Sequence, residues 1–191
     1  MNQKVTQYLL PLLLAAVLIA AAILHFGGSA PTGIVVLDPG HGGNDSGAVG
    51  QGRCEKDDNL AFALSLKEKL EDSGVEVLLT REDDSFVSLE DRCTLANRHR
   101  AELFVSLHRN SAENGSGAEV WISRAPSKKE SDLARDILDA LAEVGNSQNR
   151  GVKKGYAGGL GDYYVNSKTK MPSCLVELGF MGNSRDNELF D

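Results

Sequence analysis

The longest uninterrupted apolar stretch opens the chain. Leu9 to Leu24 contains no polar or charged side chain; Pro11 is its one helix breaker, and Tyr8 and Phe26 flank it. A helix from Tyr8 to Phe26 would reach ~28 Å at 1.5 Å per residue, about one hydrocarbon thickness. With no polar face, the run does not read as a core helix. Lys4 and the amino terminus precede it, so the positive-inside tendency places the N-terminus in the cytoplasm and the rest of the chain outside. The length favours an uncleaved transmembrane anchor. The alternative is a signal cleaved after Gly28-Ser29-Ala30, with Pro31 a poor neighbour for the cut. Both readings export the remainder of the chain. Residues 1–26 therefore read as anchor or signal, and residues 27–33, rich in Gly, Ser and Pro, as a linker.

From residue 34 short apolar runs alternate with helical stripes. Ile34 to Leu37 is a continuous apolar run ended by Asp38-Pro39-Gly40, a buried strand and a turn. Leu60, Ala63, Leu64, Leu66 and Leu70 recur at helical spacing up to Gly74. Val75 to Thr80 is the next strand. Ser88 caps a helix with Asp91 three residues on and Leu89, Cys93 and Ala96 on one face. Leu103 to Leu107 is a third strand, and Ala118 to Ile122 a fourth at or near a sheet edge. Ser127 and Glu130 form a capping box for a helix carrying Leu133, Ile137, Leu138 and Leu141 as far as Gly145. Residues 145–161 are too Gly-rich for a stable helix, and Lys153-Lys154 reads as a solvated turn. Cys174 to Leu178 is the last strand, and Ser184 begins a helix cut short at Asp191. This alternation predicts one α/β domain, residues 34–191, with a mostly parallel sheet flanked by helices. Sites in such sheets gather beyond the carboxyl ends of the strands.

Composition narrows the function. The chain has 191 residues and a formal net charge of −7. Without the N-terminal segment about 160 remain, enough for one domain with a sizeable core. The acidic balance and the lack of a basic stripe argue against nucleic acid as a partner. Three cysteines, Cys54, Cys93 and Cys174, with no C-x-x-C pair, exclude a full disulfide framework and the usual structural zinc pattern. Cys93 and Cys174 fall within apolar patterns and read as small core residues.

The candidate chemistry lies at the strand ends. His41 sits in Asp38-Pro39-Gly40-His41-Gly42-Gly43, with glycines on both sides to let a ligand approach. Taken alone it is a histidine in a turn. Glu55 alone is a first-turn carboxylate favoured by the helix dipole, and His108 alone is as readily a core histidine. Glu177 is the strongest oddity, a carboxylate inside an apolar strand, which is costly unless paired or bound to metal. Together, two His and one Glu match the ligand set of catalytic zinc hydrolases, which leaves a fourth position for water. A further carboxylate can take that water's proton. Cys54, beside Glu55, is a second candidate donor at that point, but Glu55 already completes the set.

Several stretches carry a family resemblance: "IVVLDPGHGGNDSGAVG" from Ile34, "EKDDNLAFAL" from Glu55, "LTREDDSFVSLEDRCTLAN" from Leu79, "LFVSLHRNSAENGSGAEVW" from Leu103 and "MPSCLVELGFMGN" from Met171. With them, the chain resembles the zinc-dependent N-acetylmuramoyl-L-alanine amidases of the amidase type 3 family. The resemblance implies a twisted sheet flanked by helices. It implies one Zn2+ per chain on His41, Glu55 and His108, with Glu177 as the catalytic carboxylate. It implies cleavage of the amide between the lactyl group of N-acetylmuramic acid and L-alanine in peptidoglycan, outside the membrane. Asn110 and Arg109, next to His108, are the candidate substrate contacts; Arg109 stands where the family usually has a small residue. A regulatory protein partner, unidentified, is part of the same expectation. Two other readings stay open: a zinc peptidase acting on another wall peptide bond, and a non-catalytic wall-binding protein. Only a short polar turn joins His108 to the Val120-Trp121 strand, so an open site without an internal plug is expected.

Overall fold

The computed structural model describes residues 33–143 and 148–190, together with positions 17, 20, 21, 23 and 24. The expected anchor and linker therefore lie almost wholly outside the described residues. Ala20 and Ile23 are buried against the main core. No helix among the described residues is long and apolar enough to cross a membrane.

The strands are β1 (Val35–Pro39), β2 (Val49–Gly50), β3 (Arg53–Cys54), β4 (Val77–Leu79), β5 (Leu103–Asn110), β6 (Ala118–Ile122), β7 (Asn149–Lys154) and β8 (Ser173–Phe180). The helices are α1 (Glu55–Glu71), α2 (Leu89–Arg98), α3 (Lys128–Glu143), α4 (Tyr164–Lys168) and α5 (Ser184–Asn187). Six strands form the central sheet in the order β4-β1-β5-β8-β6-β7, and β2 and β3 make a small hairpin. Every pair in the large sheet is parallel except β6 with β8. The mixed α/β domain with a mostly parallel sheet is the architecture the alternation predicts.

Side-chain alternation along each strand divides the molecule into two layers. Val35, Leu37, Leu103, Val105, Leu107, Cys174, Val176 and Leu178 pack with Phe62, Leu66 and Leu70 of α1 and with Leu133, Ile137 and Leu141 of α3. Val36, Phe104 and Leu175 face the other way, against Cys93 and Ala96 of α2 and Val165 of α4. Phe62, Leu66 and Leu70 are wholly buried, each stabilising the fold by roughly 1.5–3 kcal/mol. The caps match the sequence signals. Ser88 Oγ accepts from Asp91 N at 3.1 Å. Ser127 and Glu130 form the reciprocal box, with bonds of 2.7 and 3.1 Å.

Two features depart from the expectations. Lys153 and Lys154 form the end of strand β7, in register with Trp121 and Ile122 of β6, not a solvated turn. As the edge strand, β7 is held by backbone pairing on one side and needs no apolar run, and lysines suit an exposed edge. Helix α4, just before β8, has no counterpart in the sequence pattern, being only five residues long.

Candidate metal centre

His41, Glu55 and His108 come together at the carboxyl end of the sheet. One ligand atom from each can be chosen so that all lie within 4.8 Å of one another. His41 comes directly after the β1–turn segment and has a left-handed backbone, φ 61°. Glu55 is the first residue of α1. The β2–β3 hairpin and the turn before it satisfy the free amides there: Glu55 N donates to Ala48 O at 2.9 Å and Lys56 N to Ser46 O at 3.2 Å. His108 lies near the end of β5, on the α2/α4 face. Adjacent β1 and β5 bring the two histidine rings to a centroid distance of 4.9 Å at 81°.

The buried Glu55 carboxylate is the hub. Its Oε1 lies 2.9 Å from His108 Nδ1 and 3.1 Å from His41 Nε2. Oε1 also accepts from Arg109 N at 3.0 Å, and Oε2 accepts from Ala48 N at 2.8 Å. Burial raises the Glu55 carboxyl, but the hydrogen bonds and charges of His108 and His41 outweigh it and hold the group well below the usual carboxylate range. For His41, burial works to lower the imidazole. Its bonds and charge interactions with Glu55, then with Asp45, prevail and lift it to about 9. Asp45 Oδ2 engages His41 Nδ1 at 2.9 Å and leaves Nε2 turned to Glu55. Two imidazoles around an ionised buried carboxylate make a pocket that favours a cation. Their N, N, O donor set is one that zinc takes, so the residues present fit such an ion. Cys54 is outside this group.

Close packing makes two glycines obligatory. A Cβ on Gly40 would stand 2.2 Å from His108 Cε1, and one on Gly47 would stand 2.6 Å from both Glu55 Oε2 and His41 Cδ2. Gly47 also has φ 62°, where only glycine is unstrained.

Glu177 sits in β8 directly across the ladder from His108 and, on its other side, from Glu119 of β6. All three point to the α2/α4 face. Glu177 is nearly buried, and its Oε2 has no hydrogen-bond partner. Burial is the main influence on it. His108 and His41 pull its carboxyl down, Glu55 and Glu119 push it up, and the net result is a rise to about 7. Glu119 is a neighbour that sequence reasoning missed, although a carboxylate within Ala118–Ile122 is the same signal that marks Glu177. Its oxygens accept from Asn110 Nδ2, Trp121 Nε1 and Arg150 Nε at 3.0, 3.0 and 2.8 Å.

The two candidate substrate contacts differ in outcome. Asn110 lines the cavity over the site, with its amide bonded to Glu119. The Arg109 side chain is buried on the opposite face, one position out of phase with His108. It pairs with Asp58, donates to Asn187 Oδ1 at 2.6 Å and stacks 4.1 Å from the Phe190 ring centroid. Its guanidinium is committed to the core, while its backbone N borders the site and donates to Glu55 Oε1. The cavity has a volume of about 590 Å³. His41, Glu55, His108 and Glu177 line it, and Phe86, Leu89 and Tyr164 stand at its margin with exposures of 57, 54 and 39 %. Exposed apolar groups at that place give an extended ligand a surface to lie on.

Comparison with known proteins places this geometry. The family model described as N-acetylmuramoyl-L-alanine amidase matches residues 35–191. The Bacillus subtilis (strain 168) protein YqiI is 42 % identical over 154 residues, covering 80 % of this chain and 72 % of the relative. N-acetylmuramoyl-L-alanine amidase LytC of the same organism is 39 % identical over 158 residues; the match covers 80 % of this chain and only 30 % of LytC. The catalytic domain of CwlV, an N-acetylmuramoyl-L-alanine amidase of Bacillus (Paenibacillus) polymyxa var. colistinus, superposes with a TM-score of 0.74 at 36 % identity, covering 84 % of this chain and 88 % of that one.

Proposed function

The chain belongs to the N-acetylmuramoyl-L-alanine amidase family, and from that membership we propose a zinc-dependent reaction at His41, Glu55, His108 and Glu177. The bond cut is the amide joining the lactyl group of N-acetylmuramic acid to the L-alanine that begins the stem peptide of peptidoglycan. One observation carries the reading. Glu177, with an unpartnered Oε2, faces the place where the two imidazoles and the Glu55 carboxylate converge.

His41, Glu55 and His108 are the residues that would hold the zinc. Bound there, zinc supplies Lewis acidity toward the scissile carbonyl and toward water. Asp45 orients His41 through Nδ1, the outer-shell role that fixes a ligand imidazole. Glu55 is kept ionised by its partners and fixed by the amides of Ala48 and Arg109. Glu177 Oε2 takes the proton of the attacking water and returns it to the leaving L-alanine amine. Its unpartnered oxygen leaves that carboxylate able to hold the proton between the two steps. The exposed Phe86, Leu89 and Tyr164 receive the apolar parts of the substrate. The domain works outside the membrane, with residues 1–26 as its anchor or, if cleaved, its export signal.

The test compares two variants. Glu177→Gln keeps shape and hydrogen-bonding capacity but removes the base. It should retain zinc and lose turnover on purified peptidoglycan by at least roughly 10²-fold. His41→Ala should lose zinc and activity together. Near-normal turnover in Glu177→Gln would sink the general-base role. Zinc retained by His41→Ala would sink the ligand set, and product analysis that finds no new L-alanine amine would point to a different wall bond.

A further inference from the structure

Two buried arginines, Arg81 and Arg92, surround the turn that carries His41, and neither takes part in the proposed reaction. The turn is unusual in its backbone. His41, Gly42 and Gly43 have φ of 61°, 134° and 58° in succession. A left-handed conformation is rare for a histidine, and such a residue persists only where its surroundings over-determine it. The turn's own hydrogen bonds, Gly42 N to Asp45 O and Asp45 N to Gly42 O at 2.9 and 3.1 Å, close the loop beyond His41. The carbonyls of Pro39, Gly40 and His41 lie outside that closure.

Those three carbonyls are taken by the guanidiniums. Arg92 Nη2 donates to His41 O at 2.8 Å, and Nη1 donates to Pro39 O at 2.8 Å and to Asp38 Oδ1 at 2.7 Å. Its Nε donates to Val87 O at 3.0 Å. Asp38 is itself buried and held by Thr80 Oγ1 at 2.6 Å and Ser106 Oγ at 2.7 Å. Arg81 Nε donates to Pro39 O and Nη2 to Gly40 O, both at 2.9 Å. The same Nη2 donates to Lys56 O at 2.8 Å, in the first turn of the helix that begins with Glu55.

We infer that Arg92 and Arg81 are positioning residues for the metal centre. Arg92 fixes the left-handed backbone of His41 by gripping its carbonyl, and Arg81 fixes the spacing of His41 from Glu55 by bonding, from one nitrogen, the residue before His41 and the residue after Glu55. The role needs the planar fork of a guanidinium. A lysine ammonium at either position keeps the charge but cannot span two or three carbonyls held at fixed separation.

The inference rests on the zinc reading, and the test separates the two. Zinc affinity of wild type, Arg92→Lys and Arg81→Lys is measured by competition with a chromogenic chelator. The visible spectrum of each protein loaded with Co2+ reports ligand geometry, and circular dichroism with thermal melting reports the fold. Each variant should keep the wild-type fold at the assay temperature, bind zinc ~10–100-fold more weakly and show an altered Co2+ spectrum. Affinity within about twofold of wild type, well short of that range, with an unchanged Co2+ spectrum and a lowered melting temperature, would make both arginines merely structural and overturn the inference. Should Arg92→Lys not fold, Arg81→Lys, which has no carboxylate bonded to it, carries the same comparison. Wild-type protein that binds no zinc would instead overturn the metal reading itself.

Discussion

At the scale of single residues, burial and charge act together on the same few groups, and in the metal-free protein they leave a measurable trace. Glu177 is raised from 4.5 to about 7. A raised pKa means that the folded state holds the proton more tightly. Its contribution to stability is therefore complete below 4.5 and is lost as pH climbs through 7. His41 is raised from 6.5 to about 9, so its contribution is complete below 6.5 and is lost as pH climbs through 9. Glu55 is lowered, which adds stability above its ordinary value and removes it as pH falls. Metal-free protein, prepared with chelator, should be most stable in the mildly acidic range and should melt at steadily lower temperature from about pH 6 to about pH 9. Melting temperatures across that range test this. A rise toward pH 9 would contradict the local environments of both Glu177 and His41.

At the scale of elements, the caps and the metal centre lie on different parts of the fold and should be separable. The box between Ser127 and Glu130 begins α3, which packs on the sheet face opposite His108 and Glu177. Ser127→Ala should cost roughly 0.5–2 kcal/mol of stability, the usual loss for a helix cap, and leave zinc affinity and turnover unchanged. Urea unfolding beside a zinc titration checks this. A cap variant that weakened zinc binding would mean that the two layers are coupled. The strand β5 shows the opposite case, in which one residue step changes everything. His108 faces the cavity and Arg109 faces the core, where it joins Asp58 and Asn187. Strand periodicity fixes that division; adjacency in sequence to a site residue does not make a strand residue part of the site.

At the scale of the whole molecule, the domain and its N-terminal segment make separate demands. A helix from Tyr8 to Phe26 would reach ~28 Å, about one hydrocarbon thickness, whereas Ala20 and Ile23 are buried against the core. Full-length protein should sediment with membranes and be released by detergent, not by high salt. A soluble full-length protein would favour packing of the segment on the domain, and a mature form in the medium starting near Pro31 would show a cleaved signal.

The elements whose residues alternate or recur with a clear period were legible in the sequence: β1, β5, β8, α1, α2 and α3, with the caps at Ser88 and Ser127. The sequence also named His41, Glu55 and His108, which the fold brings together; each alone had an ordinary reading, and the family resemblance joined them with Glu177, a charge in an apolar strand. Strand β7 and helix α4 were not. Each is short, without an apolar stripe, and is stabilised by pairing or packing with distant residues, which local pattern does not encode. The places of Arg81 and Arg92 were not legible, because the carbonyls that bury them belong to residues about 40 and 50 positions earlier in the chain. By itself, the sequence determined the family of the chain and marked the residues proposed for its chemistry. Only the tertiary structure decided their distances and facing. The parallel ladder sets Glu177 beside His108, and a buried guanidinium joins the backbones of the turns bearing His41 and Glu55, because positions far apart in the chain are brought to a common face only when the sheet closes its hydrogen bonds over a buried core.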